Sequence, residues 1–467
     1  MAYATINPAT GETVKAFETI SDEEVWKTLE RAQTAFLSWK GVSTDERRQV
    51  VSGAAAIMRR DIDRLAGLAV LEMGKLIEQA KGEVELAANI LDYYAERADR
   101  FLAPTKIEEV DDASWRPFPI GVLMAVEPWN FPYYQLARVA GPQLMVGNVV
   151  ICKHAGSTPQ CAQAFDDLLR DAGAPAGVWT NVYASSDQVA AMIEHDVIKG
   201  VTLTGSESAG SAVAGNAGKN LKKAVLELGG SDALIVLEDA PFDSTLDNII
   251  WGRMNNTGQS CVASKRAIIV GKERGERFLA AIAARMSGLK VGDPMDPTTE
   301  LGPVSSEGAV KQLVDQVERA VKGGARVVTG GKRIDRPGFY LEATVLTDIG
   351  PDNPIYTEEL FGPALSVYVV GSEDEALELA NATSFGLGGS VFTSDLDRGR
   401  AVADRIESGM TFVNHPTWTA PELPFGGVNR SGFGRELSML GFGEFVNRKL
   451  LDVSPVGAAP PSGANAG

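Results

Sequence analysis

Residues 122–153 read VLMAVEPWNFPYYQLARVAGPQLMVGNVVICK, and the rhythm of this stretch decides the fold class. The apolar run 122–126 has the length and composition of a strand buried on both faces. The EPWNFP segment comes next, its two prolines restricting the backbone. A helical segment near 133–146 succeeds it, and an apolar strand at 149–153 completes the unit. Strand, helix and strand without a hairpin turn imply parallel pairing, since only a crossover returns the chain to the same end of a sheet. The rhythm continues with strands at 178–182, 200–204 and 224–228, separated by helices near 158–172, 186–194 and 206–217. Such a sheet is covered on both faces and takes ligands beyond the carboxyl ends of its strands.

Towards the N-terminus the chain reads as helical. Ser21 and Glu24 are placed for a capping box, and Val25, Leu29, Ala32 and Phe36 recur at helical spacing, with Trp39 extending the stripe. A second helix is expected over about 45–71, interrupted near residue 60, and a third from about residue 76 through Leu86, Ile90 and Tyr93. An amphipathic layer of this kind needs a partner surface to bury its apolar face. Towards the C-terminus lies a second α/β region, with strands at 233–237, 266–270, 326–328, 364–370 and 389–392. Its helices are expected near 241–256, 273–288, 307–323, 373–381 and 397–407, and residues 454–467, rich in Pro, Gly and Ala, read as a flexible tail.

With 467 residues the chain is too long for one ordinary core, so two or three domains are expected. An apolar fraction of 44% and a charged fraction of 22% place it among globular proteins. No window approaches the roughly 20 apolar residues of a membrane span, and MAYATINPATGETV lacks the basic and apolar regions of a secretory signal. The expected location is the cytoplasm. Lys and Arg total 44 against 61 Asp and Glu, a formal charge of -17 that weighs against non-specific nucleic-acid binding. Three cysteines make no disulfide framework, and three histidines without a CxxC pair make no metal pattern.

Four local features carry chemistry. In NNTGQSC, residues 255–261, Cys261 ends a Gly/Asn-rich turn; it is either a nucleophile or one more small buried hydrophobe. In LELGG, residues 226–230, Glu227 ends a strand between leucines, where burial would raise its pKa towards that of a working base; a structural acid accepting backbone N–H groups is the alternative. In EPWNFP the prolines hold the Asn130 amide in place, or simply make a tight turn. No GxGxxG comes after the first strand, and Gly205-Ser206 offers either a pyrophosphate contact at a helix start or an ordinary N-cap.

Taken together, EPWNFP, TGS (204–206), LELGG, NTGQSC, EELFGP (358–363) and PFGG (424–427) stand in the order found in the aldehyde dehydrogenase superfamily. The chain resembles that superfamily from NPATGE (7–12) to SGFGRE (431–436), most closely the short bacterial NAD(P)+-dependent succinate-semialdehyde dehydrogenases. The resemblance implies two open α/β domains, one a Rossmann-like cofactor domain, with a small β oligomerisation arm. The implied boundaries are 1–98 and 119–229 for dinucleotide binding, 230–436 for catalysis, and 99–118 with 445–453 for the arm. An arm with exposed strand edges implies a homodimer or homotetramer.

By the same resemblance Cys261 attacks the aldehyde, the Asn130 amide and the Cys261 N–H hold the developing oxyanion, and Glu227 activates water against the thioester. Trp129 lies along the cofactor path, Lys153 contacts the adenine-side ribose and Ser206, after Gly205, the pyrophosphate. Glu359 holds the nicotinamide ribose and Phe361 packs beside it. NAD-preferring members often carry a Glu three residues after the lysine. Gly156 stands there in this chain, so like-charge repulsion of a 2'-phosphate is missing, and Lys153 and Ser157 could contact it. NADP+ is modestly favoured, and NAD+ use stays open.

Arg138, eight residues after Asn130, falls where such enzymes place an arginine near the substrate carboxylate, though a helix-surface ion pair would use the same residue. A second family arginine is Asn255 here, which weakens selection of the acid end. Trp418 and Thr419, with Thr417, are expected at the substrate entrance. The implied reaction is oxidation of an aldehyde to a carboxylic acid, succinate semialdehyde first and a broad range of small aliphatic or amino-aldehydes as the alternative. Glu227 argues against release of the thioester to coenzyme A, and no histidine partner supports a cysteine hydrolase. A non-catalytic protein on this scaffold would be marked by loss of Cys261, Glu227 or Asn130, and all three are present.

Overall fold

A computed structural model describes residues 3–458; residues 1–2 of the expected first domain and 459–467 of the expected tail lie outside the described residues. The strand–helix–strand unit at 122–154 forms the centre of a six-stranded sheet. Five parallel strands stand in the order Lys223–Glu227, Ile198–Thr204, Val122–Glu127, Val149–His154 and Trp179–Asn181. Gly432–Phe433, from the SGFGRE motif, adds an antiparallel edge that the apolar pattern does not announce. The crossover helices are Tyr134–Val146, Pro159–Asp171, Ser186–Glu194 and Glu207–Lys219.

Strand register sets which side chains share the carboxyl edge of this sheet. Val126 stands opposite Leu203, and Thr204 opposite Glu227. Glu127, Thr204 and Glu227 therefore end three neighbouring strands side by side.

The N-terminal helices Asp22–Trp39, Thr44–Arg60, Ile62–Met73 and Ile77–Leu102 bury their apolar faces in one core with this sheet. Trp39 is buried and donates from Nε1 to the Leu144 carbonyl at 3.1 Å, tying the first helix to the crossover helix after Asn130. The capping box expected at Ser21 is half made. Ser21 Oγ accepts from Glu24 N, but the Glu24 carboxylate pairs with Arg31 at 2.7 Å instead of returning to the cap. Ser43 and Glu46 make the full box. The expected interruption near residue 60 falls at Asp61, which leaves helical geometry (φ -103°, ψ 20°).

Residues 3–17 depart from the helical expectation: Tyr3–Ile6 and Thr13–Phe17 form an antiparallel pair. The second sheet has seven strands in the order Arg326–Thr329, Thr344–Thr347, Ala364–Val370, Ser264–Val270, Asp232–Val236, Gly388–Phe392 and Met410–Val413, all parallel except the first. Thr344–Thr347 and Met410–Val413 have no counterpart among the expected strands. The chain passes from Glu227 to Asp232 through residues 228–231 alone, so the carboxyl end of one sheet abuts the amino end of the other. A separate three-stranded sheet of Thr105–Lys106, Ala113–Pro119 and Val446–Asp452 makes a small arm, while 99–102 belong to the preceding helix. No helix of the described residues is long and apolar enough to cross a membrane.

Candidate active site

Cys261 is partly buried at the end of a strained turn. Asn256 and Thr257 hold left-handed backbone (φ 56° and 55°), which a β-branched threonine adopts only when its surroundings enforce it. The enforcement is visible. Asn256 donates from Nδ2 to the Asn130 carbonyl at 2.9 Å and the Gln259 carbonyl at 3.0 Å, and its N–H donates to Gln79 Oε1 at 3.0 Å. Gly230 is required by close approach: a Cβ there would meet the Cys261 carbonyl oxygen at 2.6 Å. The paired glycines of LELGG thus let the nucleophile loop lie against the end of the neighbouring strand.

Asn130 is buried, and its Nδ2 donates to the Gln259 carbonyl at 3.2 Å. A side-chain amide has two N–H groups, so one remains for a further acceptor. The segment holding Asn130 is anchored at its far end. Glu83 accepts from Tyr133 N at 2.8 Å and Tyr134 N at 3.2 Å, and His154 Nε2 lies 3.1 Å from the Pro132 carbonyl. Burial keeps His154 uncharged, its pKa lowered to about 3.

Glu227 is 2% exposed, and neither carboxyl oxygen has a hydrogen-bond partner among the described residues. Burial, and next the neighbouring Glu436, hold its pKa well above the usual carboxylate range, opposed by Arg138 and Arg435. Glu127, two strands away, is likewise buried and without a hydrogen bond. A structural acid would accept backbone N–H groups, and Glu227 accepts none. The Cys261 thiol is pushed up to about 12 by burial, with Lys265 and Arg138 opposing and Glu359 and Asp232 adding to the rise. A neighbouring base or a gain of positive charge is therefore needed to form a thiolate near neutrality.

The residues expected to meet the coenzyme stand in several local settings. Lys153 borders a cavity of about 220 Å3 walled by Val126, Val189, Ile193, Leu203 and Val213, apolar enough for a flat heteroaromatic ring. Gly156 and Ser157 lie in the turn after that strand, where the Gly156 carbonyl accepts from Ala4 N at 2.9 Å. Gly205 N donates to the Glu227 carbonyl, and Ser206 caps the helix Glu207–Lys219, accepting from Ala209 N at 3.3 Å. The N-cap expectation is thus met, and it leaves the first amides of a 13-residue helix directed at the strand ends. Trp129 meets Phe361 edge-on at 5.7 Å. Glu359 accepts from Gly230 N at 3.2 Å and pairs with Lys265 Nζ at 2.8 Å.

Arg138 departs from the helix-surface ion pair that is the alternative expected of it. It is 2% exposed, so it makes no helix-surface pair, and its Nε lies 2.7 Å from Glu436 Oε2. Its Nη2 donates to Thr204 Oγ1 at 2.9 Å, and the guanidinium lies over the rings of Tyr134 and Phe425. The charge expected to face a substrate carboxylate is already matched by an internal one. Thr419 Oγ1 stands 3.0 Å from Tyr134 Oη, which in turn lies 3.4 Å from Arg138 Nη1. Trp418 is 45% exposed and packs on His415, and Thr417 is buried.

Lys265, Arg253 and Glu436 carry no site expectation from the sequence, yet all three stand here. Lys265 is buried and donates to the Ser260 carbonyl (2.8 Å) and the Cys261 carbonyl (2.5 Å). Arg253 is fully buried and donates to the Leu360 carbonyl at 2.7 Å and to the Gly362 carbonyl, clamping the EELFGP loop. A signal exists for Lys265: SKRAIIV places two cations in a strand otherwise suited to burial on both faces, where a charge needs a partner.

The aldehyde dehydrogenase family profile matches residues 1–451. The chain is 48% identical over 459 residues to the succinate-semialdehyde dehydrogenase [NADP(+)] of Deinococcus radiodurans, covering 98% of this chain and 96% of that one. It is 44% identical to succinate-semialdehyde dehydrogenase [NADP(+)] 1 of Mycobacterium tuberculosis, covering 97% and 99%. Among solved structures, succinic semialdehyde dehydrogenase from Streptococcus pyogenes in complex with NADP+ superposes with a TM-score of 0.95 at 45% identity, covering 97% of this chain and all of that one.

Proposed function

Because this chain belongs to the aldehyde dehydrogenase family, we propose that it oxidises succinate semialdehyde to succinate, with NADP+ used in preference to NAD+. The observation that carries the reading is Glu227: a fully buried carboxyl with no hydrogen bond, three residues before the glycine on which the Cys261 carbonyl packs. The substrate rests on the kinship with NADP+-linked succinate-semialdehyde dehydrogenases.

Glu227 takes the thiol proton, and Cys261 attacks the aldehyde carbon to give a thiohemiacetal. The free Asn130 amide N–H and the Cys261 N–H hold the oxyanion where its charge develops. The bound nicotinamide supplies the hydride acceptor. Glu227 passes the thiol proton on to solvent, then takes a proton from water as the water attacks the thioester, and succinate leaves. Lys153, with Ser157, faces the adenosine end, and Gly156 spares a 2'-phosphate any like charge. Gly205 and Ser206 serve the pyrophosphate, Glu359 the nicotinamide ribose, and Trp129 and Phe361 border the path. Trp418 and Thr419 line the entrance, with Arg138 behind them bracing Tyr134 and Thr419.

The proposed divisions are 1–98 with 119–229 for the coenzyme, 230–436 for catalysis, and 99–118 with 445–453 for assembly into a cytoplasmic homodimer or homotetramer. The arm's outer strand exposes Leu450 and Leu451, suited to a partner copy.

The test is initial-rate measurement with succinate semialdehyde, glutarate semialdehyde, propanal, benzaldehyde and an amino-aldehyde, each with NADP+ and NAD+. A kcat/KM for succinate semialdehyde about tenfold above the neutral aldehydes, or about 1.4 kcal/mol of transition-state selection, supports the reading. Equal values make the enzyme a broad small-aldehyde dehydrogenase.

A further inference from the structure

Lys265 takes no part in the proton and hydride steps, yet it touches both halves of the site. Its ammonium has three N–H donors, and three acceptors surround it: the Ser260 carbonyl at 2.8 Å, the Cys261 carbonyl at 2.5 Å and Glu359 Oε1 at 2.8 Å. The side chain is 2% exposed, so water is a poor substitute for any of the three. Glu359 shares its Oε1 between Lys265 and Gly230 N, and a Cβ at Gly229 would lie 2.5 Å from its Oε2. The carboxylate is thus parked between the nucleophile loop and the glycine pair of LELGG.

We propose that Lys265 is a positioning residue that links the coenzyme side of the site to the nucleophile by exchanging partners. In the free protein its charge is divided between Glu359 and the two carbonyls of the cysteine loop. When a coenzyme ribose diol engages Glu359, one partner is drawn away and the ammonium acts undivided on Ser260 and Cys261. The loop carrying the Cys261 N–H is then held more tightly in its oxyanion-binding orientation, and a less neutralised positive charge stands beside the thiol.

The groups facing Cys261 act in the matching sense: Lys265 and Arg138 favour the thiolate, whereas Glu359 and Asp232 oppose it. Asp232 is the other carboxyl near Lys265, and burial raises its pKa to about 6 with Lys265 opposing. Arg253 faces Glu359 from the other side and is anchored to the Leu360 and Gly362 carbonyls. The inference rests on the proposed contact of Glu359 with the ribose.

The test is the pH dependence of Cys261 alkylation by iodoacetamide, read by peptide mass spectrometry in the free protein and with saturating NADP+. Wild type should alkylate about tenfold faster near pH 7 when NADP+ is bound, the effect of lowering the thiol pKa by about one unit. Lys265→Met should remove that acceleration and Lys265→Arg should restore most of it. Glu359→Gln should alkylate faster than wild type without NADP+, because the lysine keeps its charge. A Lys265→Met protein whose alkylation profile matches wild type with and without NADP+ overturns the proposal. Should that variant not accumulate in folded form, Glu359→Gln decides alone, and an unchanged free-protein profile overturns it. Fluorescence titration separates the underlying reading: if Glu359→Gln binds NADP+ as tightly as wild type, the ribose assignment is what has failed.

Discussion

Replacing Arg138 by Met separates two roles that one residue could hold. In a tunnel, the guanidinium would select the acid end of the substrate, and its loss would raise KM for succinate semialdehyde with little effect on stability. The structure instead sets it 2.7 Å from Glu436 with both side chains buried, and adds a hydrogen bond to Thr204. Breaking a buried pair from one side strands the other charge and typically destabilises by about 3–5 kcal/mol. Arg138→Met should therefore lower the unfolding free energy by about that amount, read from urea denaturation at fixed protein concentration. Its kcat/KM should fall by similar factors for succinate semialdehyde and propanal. The double variant Arg138→Met/Glu436→Gln should recover about 2–3 kcal/mol, since neither charge is then stranded. Stability within about 1 kcal/mol of wild type, with a tenfold loss confined to the acidic substrate, would refute this reasoning and return Arg138 to the substrate.

Cys261→Ala should abolish turnover while leaving coenzyme affinity within about twofold by fluorescence titration, as the side chain serves the reaction and not the fold. Glu227→Gln should abolish steady turnover, because thioester hydrolysis loses its base, and should also slow the first equivalent of reduced coenzyme, because the same carboxylate takes the thiol proton. Its stability has a defined sign. A carboxyl whose folded pKa is raised is most at home below its unfolded value near 4.5 and loses stability as pH rises towards the folded value. Glu227→Gln should therefore unfold at higher temperature than wild type at pH 7 and show a smaller advantage at pH 4. Gly230→Ala drives a methyl into the Cys261 carbonyl and should lower kcat at least a hundredfold, at about 1–3 kcal/mol in stability. Gly156→Glu should lower the NADP+ to NAD+ ratio of kcat/KM more than tenfold, because a carboxylate then meets the 2'-phosphate.

The parallel strands between 122 and 227 are legible to within two or three residues because burial on both faces leaves an uninterrupted apolar run. The cysteine turn is legible for a different reason: NTGQSC and LELGG pack composition rules that a tight approach demands, and Gly230 bears the demand out in its distance to Cys261. Other features leave no local trace. The Arg138–Glu436 pair joins residues far apart in sequence, and an arginine on a helix looks the same whether it faces water or a buried glutamate. Lys265 is intermediate: its oddity in an apolar strand is visible, and two of its partners lie in the adjoining cysteine loop, but Glu359 comes from a distant one.

The strand ends show why the base is shaped as it is. Three carboxyls, Glu127, Glu227 and Glu436, surround one guanidinium in a region closed to water, and only Glu436 makes an ion pair with it. Burial and the neighbouring carboxyls raise the pKa of Glu127 and of Glu227, while Arg138 opposes the rise. Burial and like charge hold the Glu227 pKa up, so this carboxylate, once ionised, is a stronger base than an exposed one. Such a group gives up little of its basicity to fixed partners, since Glu227 has none, and regains its proton readily when it draws one from a thiol or a water. A glutamate tied to backbone N–H groups would be ionised from the start and correspondingly weak. Burial without a partner, which destabilises the fold, is the feature on which the proposed base role of Glu227 draws.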